Sequence, residues 1–155
     1  MALKLSHISA DTIKIICRMD SALAGTGEDY QAYLDGGLDE SKLVFVEGDE
    51  PTRFVLRTVL PYGLAQRVKN EQTAFKDGQM TLQMAFINEE VRCALVDIVN
   101  PPTLAPDQWI KFERDSDGGA SKKLMELLIA ADVAQDLFLC KKAYADRGSS
   151  GLKKS

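Results

Sequence analysis

Apolar residues along this chain first alternate and then recur at helical spacing. Residues 12–19 place Ile13, Ile15, Cys17 and Met19 on one side, with Thr12, Lys14, Ile16 and Arg18 on the other. Period-two alternation with β-branched side chains predicts a strand, broken in pattern only by Ile16. Residues 3–8 either extend that strand or form a short one of their own. Two further apolar runs, 43–47 and 53–60, flank Gly48-Asp49-Glu50-Pro51-Thr52, whose composition suits a hairpin loop. Pairing Glu47 with Arg53 sets Val46 opposite Phe54 and Val44 opposite Leu56, an apolar face. The other face mixes Glu47, Arg53 and Arg57 with Phe45 and Val55, and so offers a surface to a partner.

Helical spacing takes over after residue 60. Pro61 suits a first helical position, and Leu64, Val68, Gln72 and Phe75 then form one stripe, predicting a helix over 61–76 that ends at Asp77-Gly78. Met84, Ile87, Val91, Leu95 and Ile98 recur every three or four residues, predicting a second helix over 80–99. Asn100-Pro101-Pro102 stops it, because proline cannot continue the hydrogen-bond ladder. Residues 100–120 read as a long irregular link carrying Trp109, Ile110 and Phe112. Ser121 offers an N-cap to a third helix over 122–145. Leu124, Leu128 and Ala131 form one stripe there, and Met125, Ile129, Val133, Leu137, Cys140 and Tyr144 another. Two stripes make a face wide enough to lie at the centre of a bundle or under a partner.

These elements imply an α+β fold in which an antiparallel β unit (12–19, 43–47, 53–60) precedes three helices (61–76, 80–99, 122–145). The length of 155 residues suits one domain over 1–145, with 146–155 as a disordered tail. Residues 20–42 are rich in Gly, Asp and Ser and read as a long acidic connection, in which EDYQAYLD makes at most a turn or two of helix.

Charge sharpens the picture. Between Asp20 and Glu50 stand nine acidic residues, opposed by Lys42 alone, whereas the C-terminus carries Lys141, Lys142, Arg147, Lys153 and Lys154. That asymmetry suits head-to-tail stacking of subunits or, equally, a solvated loop and a solvated tail. The net charge of −4 argues against a general nucleic-acid binder. No run long enough to span a membrane is present, and the start lacks the h-region of a secretory signal. Cys17, Cys93 and Cys140 are odd in number and contain no CxxC, so buried thiols in a reducing compartment are expected.

Catalytic and ligand-binding patterns fail on their own terms. The one histidine, His7, stands away from any nucleophile elbow, and no GxSxG occurs. Gly25-Thr26-Gly27 would need a glycine at Tyr30 to make a GxGxxG loop. Glu113, Asp115, Asp117 and Gly118 resemble the first half of a calcium loop, but its twelfth position falls on Leu124 instead of a bidentate Glu. Glu89-Glu90 fits a solvated helix face better than acid–base work. The expectation is a protein that is not an enzyme and needs no metal or cofactor. Trp109 and Phe112 in the long link either anchor an interface or fold back onto the helices.

The run PTRFVLRTVLPYG resembles the hairpin-to-helix junction of phage tail-assembly chaperones and related small virion-assembly proteins. VRCALVDIVNPP, followed by a linker and a final amphipathic helix, is similar in layout. The resemblance covers roughly residues 40–145 and contains no diagnostic motif; the acidic stretch at 20–42 fits it less well. It implies a factor that shields an aggregation-prone structural protein, such as a tape-measure protein, in the host cytoplasm while the tail forms. A permanent virion component that self-assembles, and a small enzyme with an unfamiliar site, are the alternatives. Expected partners are other phage structural proteins or further copies of the chain, with no nucleic acid and no membrane. Candidate contact residues are Arg53, Arg57, Trp109, Phe112, Leu137 and Tyr144.

Overall fold

The computed structural model describes residues 11–73, 80–105, 108–109 and 111–154. Residues 3–8 with His7, and the Phe75–Gly78 helix end, lie outside them. The α+β class holds, but the order of elements differs from strands followed by helices. Strand β1 (Thr12–Ile15) leads to helix α1 (Gly27–Asp35) and a 3-10 turn (Glu40–Lys42), and strand β2 (Arg53–Arg57) follows. Helices α2 (Tyr62–Thr73) and α3 (Met80–Ala94) come next, then strands β3 (Leu95–Val99), β4 (Thr103–Ala105) and β5 (Gln108–Trp109). Helices α4 (Lys122–Ala130) and α5 (Val133–Lys154) complete the chain.

The principal sheet is antiparallel in the order β1-β2-β3. Its central strand is the run Phe54-Val55-Leu56, buried at all three positions, whereas a hairpin strand would expose alternate residues. The 43–47/53–60 hairpin therefore does not form. Arg53 pairs with Val99 and Phe54 with Ile98, so β3 takes the place that residues 43–47 were expected to fill. Residues 43–47 pair instead with residues 22–24 through a bridge between Leu23 and Phe45.

The second predicted helix ends fifteen residues after it starts, and Leu95–Val99 switches to strand. The helical spacing of Leu95 and Ile98 misled here. A register shift beside Val96 lets two residues three apart share the buried face of a strand, because a bulge adds one residue to the pleat. The third predicted helix is two. Asp132 adopts φ 59° and folds α5 back on α4, so both apolar stripes turn inward except at Ile129. Leu124, Leu128, Leu137 and Cys140 are all buried in one core with Ile13, Ile15, Phe54, Leu56, Leu95 and Ile98. The wide unpartnered face expected of one long helix is thereby covered by the protein itself. α5 continues to Lys154, across the stretch expected to be a disordered tail.

The acidic stretch at 20–42 contains a full helix. Thr26 caps α1 through a reciprocal box with Asp29. Its Tyr30 and Tyr33 reach back to the end of β1, beyond which the ladder with β2 stops. Ile16 N–H donates to the Tyr33 hydroxyl at 3.1 Å, and the Tyr30 hydroxyl donates to Ile16 C=O at 2.6 Å. Two phenols thus satisfy buried backbone groups that would otherwise carry a desolvation cost.

Asp132 tests the helix break. A residue with a Cβ in the left-handed region carries a penalty that glycine avoids. Asp132→Ala is expected to lose about 1 kcal/mol, because it also lacks the local polar contacts that make Asp tolerable there, while Asp132→Gly holds or gains stability in urea unfolding. The reverse order would mean that the backbone conformation does not set the break.

Candidate interaction surfaces and the Arg92 junction

A buried arginine organises the end of α3. Arg92 is 7% exposed, and burying an unpaired guanidinium would be prohibitive. Its Nε and Nη2 donate to the Glu89 carboxylate at 3.1 and 2.7 Å, one helical turn back. Nη2 and Nη1 also donate to Asp117 at 2.6 and 3.1 Å, and Nη1 to Ala120 C=O at 3.1 Å. Asp115 lies 3.9 Å from Nη1, and Arg67 of α2 adds a second cation 3.5 Å from Asp117. Two carboxylates of the half calcium loop, Asp115 and Asp117, thus face an arginine, while Glu113 accepts from the Ser121 hydroxyl at 3.4 Å. Among the described residues, no three His, Cys, Asp or Glu side chains are placed to hold a metal ion.

The loop before α4 is shaped to that contact. A Cβ at Gly119 would stand 2.8 Å from Arg92 Nη1, so the backbone approaches only because residue 119 is glycine. Ala120 N–H donates to Arg92 C=O at 2.8 Å, and Ser121 then caps α4 by accepting from Leu124 N–H. Hydrogen bonds from Arg92 and Gly119, with Arg92's positive charge, pull the Asp117 carboxyl down to about 2.

Beside this junction, a shallow groove of about 240 Å³ runs between α3 and α4. Ala85, Met125 and Ile129 supply its apolar lining, and Asn88, Glu89, Lys122 and Glu126 its polar one. Ile129 is 41% exposed, and Met84, one residue before Ala85, is 37% exposed. A second depression of similar size holds Arg18, Asp136 and the exposed Met19 and Leu139.

The candidate contact residues of the sequence are spread apart and mostly engaged. Arg53 makes a bidentate pair with Glu40 at 2.8–3.2 Å, where Glu47 was expected. Arg57 donates to Cys93 C=O at 2.9 Å, joining β2 to the α3–β3 turn. Phe112 is half-buried against the core with the Arg114 guanidinium over its ring. Tyr144 also packs on the core, and Leu137 is fully buried, which removes it from any surface contact. Trp109 ends β5, opposite Thr103 in the two-stranded β4–β5 unit. The groove had one signal in the sequence: Ile129 lies on the α4 stripe, but the Asp132 break leaves it at the margin of the buried face.

All three cysteines are buried and free. Burial pushes the Cys140 thiol up to about 11 and Cys93 up to about 12, and raises Cys17 further. None is poised as a nucleophile. Among the described residues, no helix is long and apolar enough to cross a membrane. In comparison with known proteins, the chain matches no family model, no curated protein and no solved structure.

Two outcomes follow from the Arg92 junction. Arg92→Met strands Glu89 and Asp117 against each other and is expected to cost about 3–5 kcal/mol in urea unfolding. A loss below about 1 kcal/mol would mean that the junction is not a constraint. Because the folded Asp117 pKa is depressed, its stabilisation is present above the ordinary carboxylate pKa near 4 and is lost as pH falls towards about 2. Asp117→Asn is therefore expected to flatten the stability profile in that acid window, read by urea titrations at successive pH values.

Proposed function

We propose that this protein is a non-enzymatic phage assembly factor that binds a structural or tape-measure protein in the host cytoplasm during tail assembly. Support comes from the resemblance of PTRFVLRTVLPYG and VRCALVDIVNPP to tail-assembly chaperones. The observation that carries the reading is the α3–α4 groove. Its apolar lining, with Met84 beside it, lies next to the buried Arg92 junction, so it is held by a rigid base. The occupant such a groove suits is an amphipathic helix, with apolar residues three and four apart seated on Ile129 and Ala85. Glu89 is paired with Arg92, so Lys122 and Glu126 are the charges left at the rim, and they suit a helix whose flanks carry both signs.

Co-expression with the tape-measure and tail-tube proteins tests this reading. The expected result is co-purification with one of them and a rise in its soluble fraction. Ile129→Asp, at an exposed position, is expected to abolish the co-purification with an unchanged circular dichroism spectrum. Mass spectrometry of purified particles is expected to find the protein absent. Its presence there in stoichiometric amount would make it a virion component, and no change in partner solubility or recovery would overturn the assembly role.

A further inference from the structure

Among the described residues, three strand edges are those of β1, β3 and residues 43–47, and the first two are blocked by side chains. At β1, the Tyr33 and Tyr30 hydroxyls occupy Ile16 N–H and C=O. On β3, Ile98 N–H is taken by the carboxylate of Asp97 at 2.9 Å. Such blocking is the usual protection of an edge against stray pairing. The third edge, residues 43–47, lacks it.

The geometry of that segment is extended and regular. Val46 N–H donates to Ala22 C=O at 2.7 Å, and Ala24 N–H donates to Val44 C=O at 2.8 Å. Leu23 and Phe45 are thus opposed as a non-hydrogen-bonded pair of an antiparallel ladder, and the Phe45 N–H and C=O point to the opposite side. No described residue bonds either group. The side chains alternate as a strand requires: Leu43 and Phe45 pack on the core, while Val44 and Val46 stand 50% and 39% exposed. Two exposed β-branched side chains thus flank an open donor and acceptor pair.

We propose that residues 43–47 form a docking edge for an extended basic segment of another protein, which adds as an antiparallel strand opposite Phe45. Main-chain bonds to Phe45 supply the pairing, and Val44 and Val46 supply an apolar face for alternate side chains of the guest. Charge selects a basic guest. Glu47 and Asp49 are exposed and carry no ion pair among the described residues, and Asp39 is exposed before the strand. Within residues 39–50 five acids face one lysine, of which Glu40 and Glu50 are offset by Arg53. This edge is separate from the α3–α4 groove and does not depend on it.

The test is a nuclear magnetic resonance titration of the full-length ¹⁵N-labelled chain with a short peptide of alternating lysine and valine. The expected result is a shift and slowed exchange of the Phe45 amide, with neighbouring changes at Val44, Val46 and Glu47. The same peptide with every backbone amide methylated, and its glutamate-for-lysine counterpart, are each expected to bind at least about tenfold more weakly. Equal binding by the methylated peptide would overturn strand addition, and equal binding by the glutamate peptide would overturn the basic guest. Shifts confined to the α3–α4 groove, self-pairing through Phe45 without peptide, or no binding at about 1 mM would each overturn the proposal.

Discussion

A buried guanidinium has no acceptable state except a fully paired one, and Arg92 imposes that requirement on two parts of the chain. Glu89 meets it from one turn earlier in α3. Asp117 and Ala120 C=O meet it from a loop twenty-five to twenty-eight residues later. That loop reaches the arginine only through Gly119, and its return bond from Ala120 to Arg92 C=O places Ser121 to cap α4. The direction of α4 and the groove beside it therefore share one electrostatic origin. The planar fork of arginine matters: a lysine ammonium cannot serve two carboxylates and a carbonyl in one plane.

The acidic stretch at 20–42 serves the same body from the opposite side. Tyr30 and Tyr33 bury their rings in the core and spend their hydroxyls on the backbone of Ile16. Tyr30 also touches the Cys140 sulfur at 3.3 Å, which ties α1 to α5. Its acidic residues remain largely at the surface, while its aromatic ones close the core. Folding thus consumes most of the apolar stripes of α4 and α5 and leaves small exposed sets, Met84 with Ile129, Met19 with Leu139, and Val44 with Val46, besides Val59, Tyr62 and Val99.

Local signals were legible where one physical cause acts alone. Alternation marked β1, Pro61 marked the start of α2, and Ser121 marked the cap of α4. Signals failed where two causes compete. The spacing of Leu95 and Ile98 serves a helix face or a bulged strand equally, and only pairing with β2 decides between them. The apparent hairpin loop was sound turn chemistry, but Arg53 gains a bidentate carboxylate in Glu40, and Phe54 and Leu56 gain the buried partners Ile98 and Leu95. The break at Asp132 carries neither glycine nor proline, so nothing local announced it. The Arg92–Asp117 pair joins residues twenty-five apart, so the sequence, which already excluded a calcium loop at Leu124, carried no sign of the cation those carboxylates serve. Of the surfaces left for partners, the sequence named none: it placed Ile129 on an apolar helix stripe and Val44 and Val46 on the core face of the supposed hairpin.

Membership of the Arg92 junction in the cooperative body is what preforms the groove beside it. Native-state hydrogen exchange of the Ala120 and Ser121 amides, which donate to Arg92 C=O and Glu113 C=O, measures this directly. The account predicts exchange only through global unfolding, with an opening free energy equal to that of core amides in β2. Exchange of Ala120 and Ser121 at the rate of an open loop, while β2 stays protected, would contradict it.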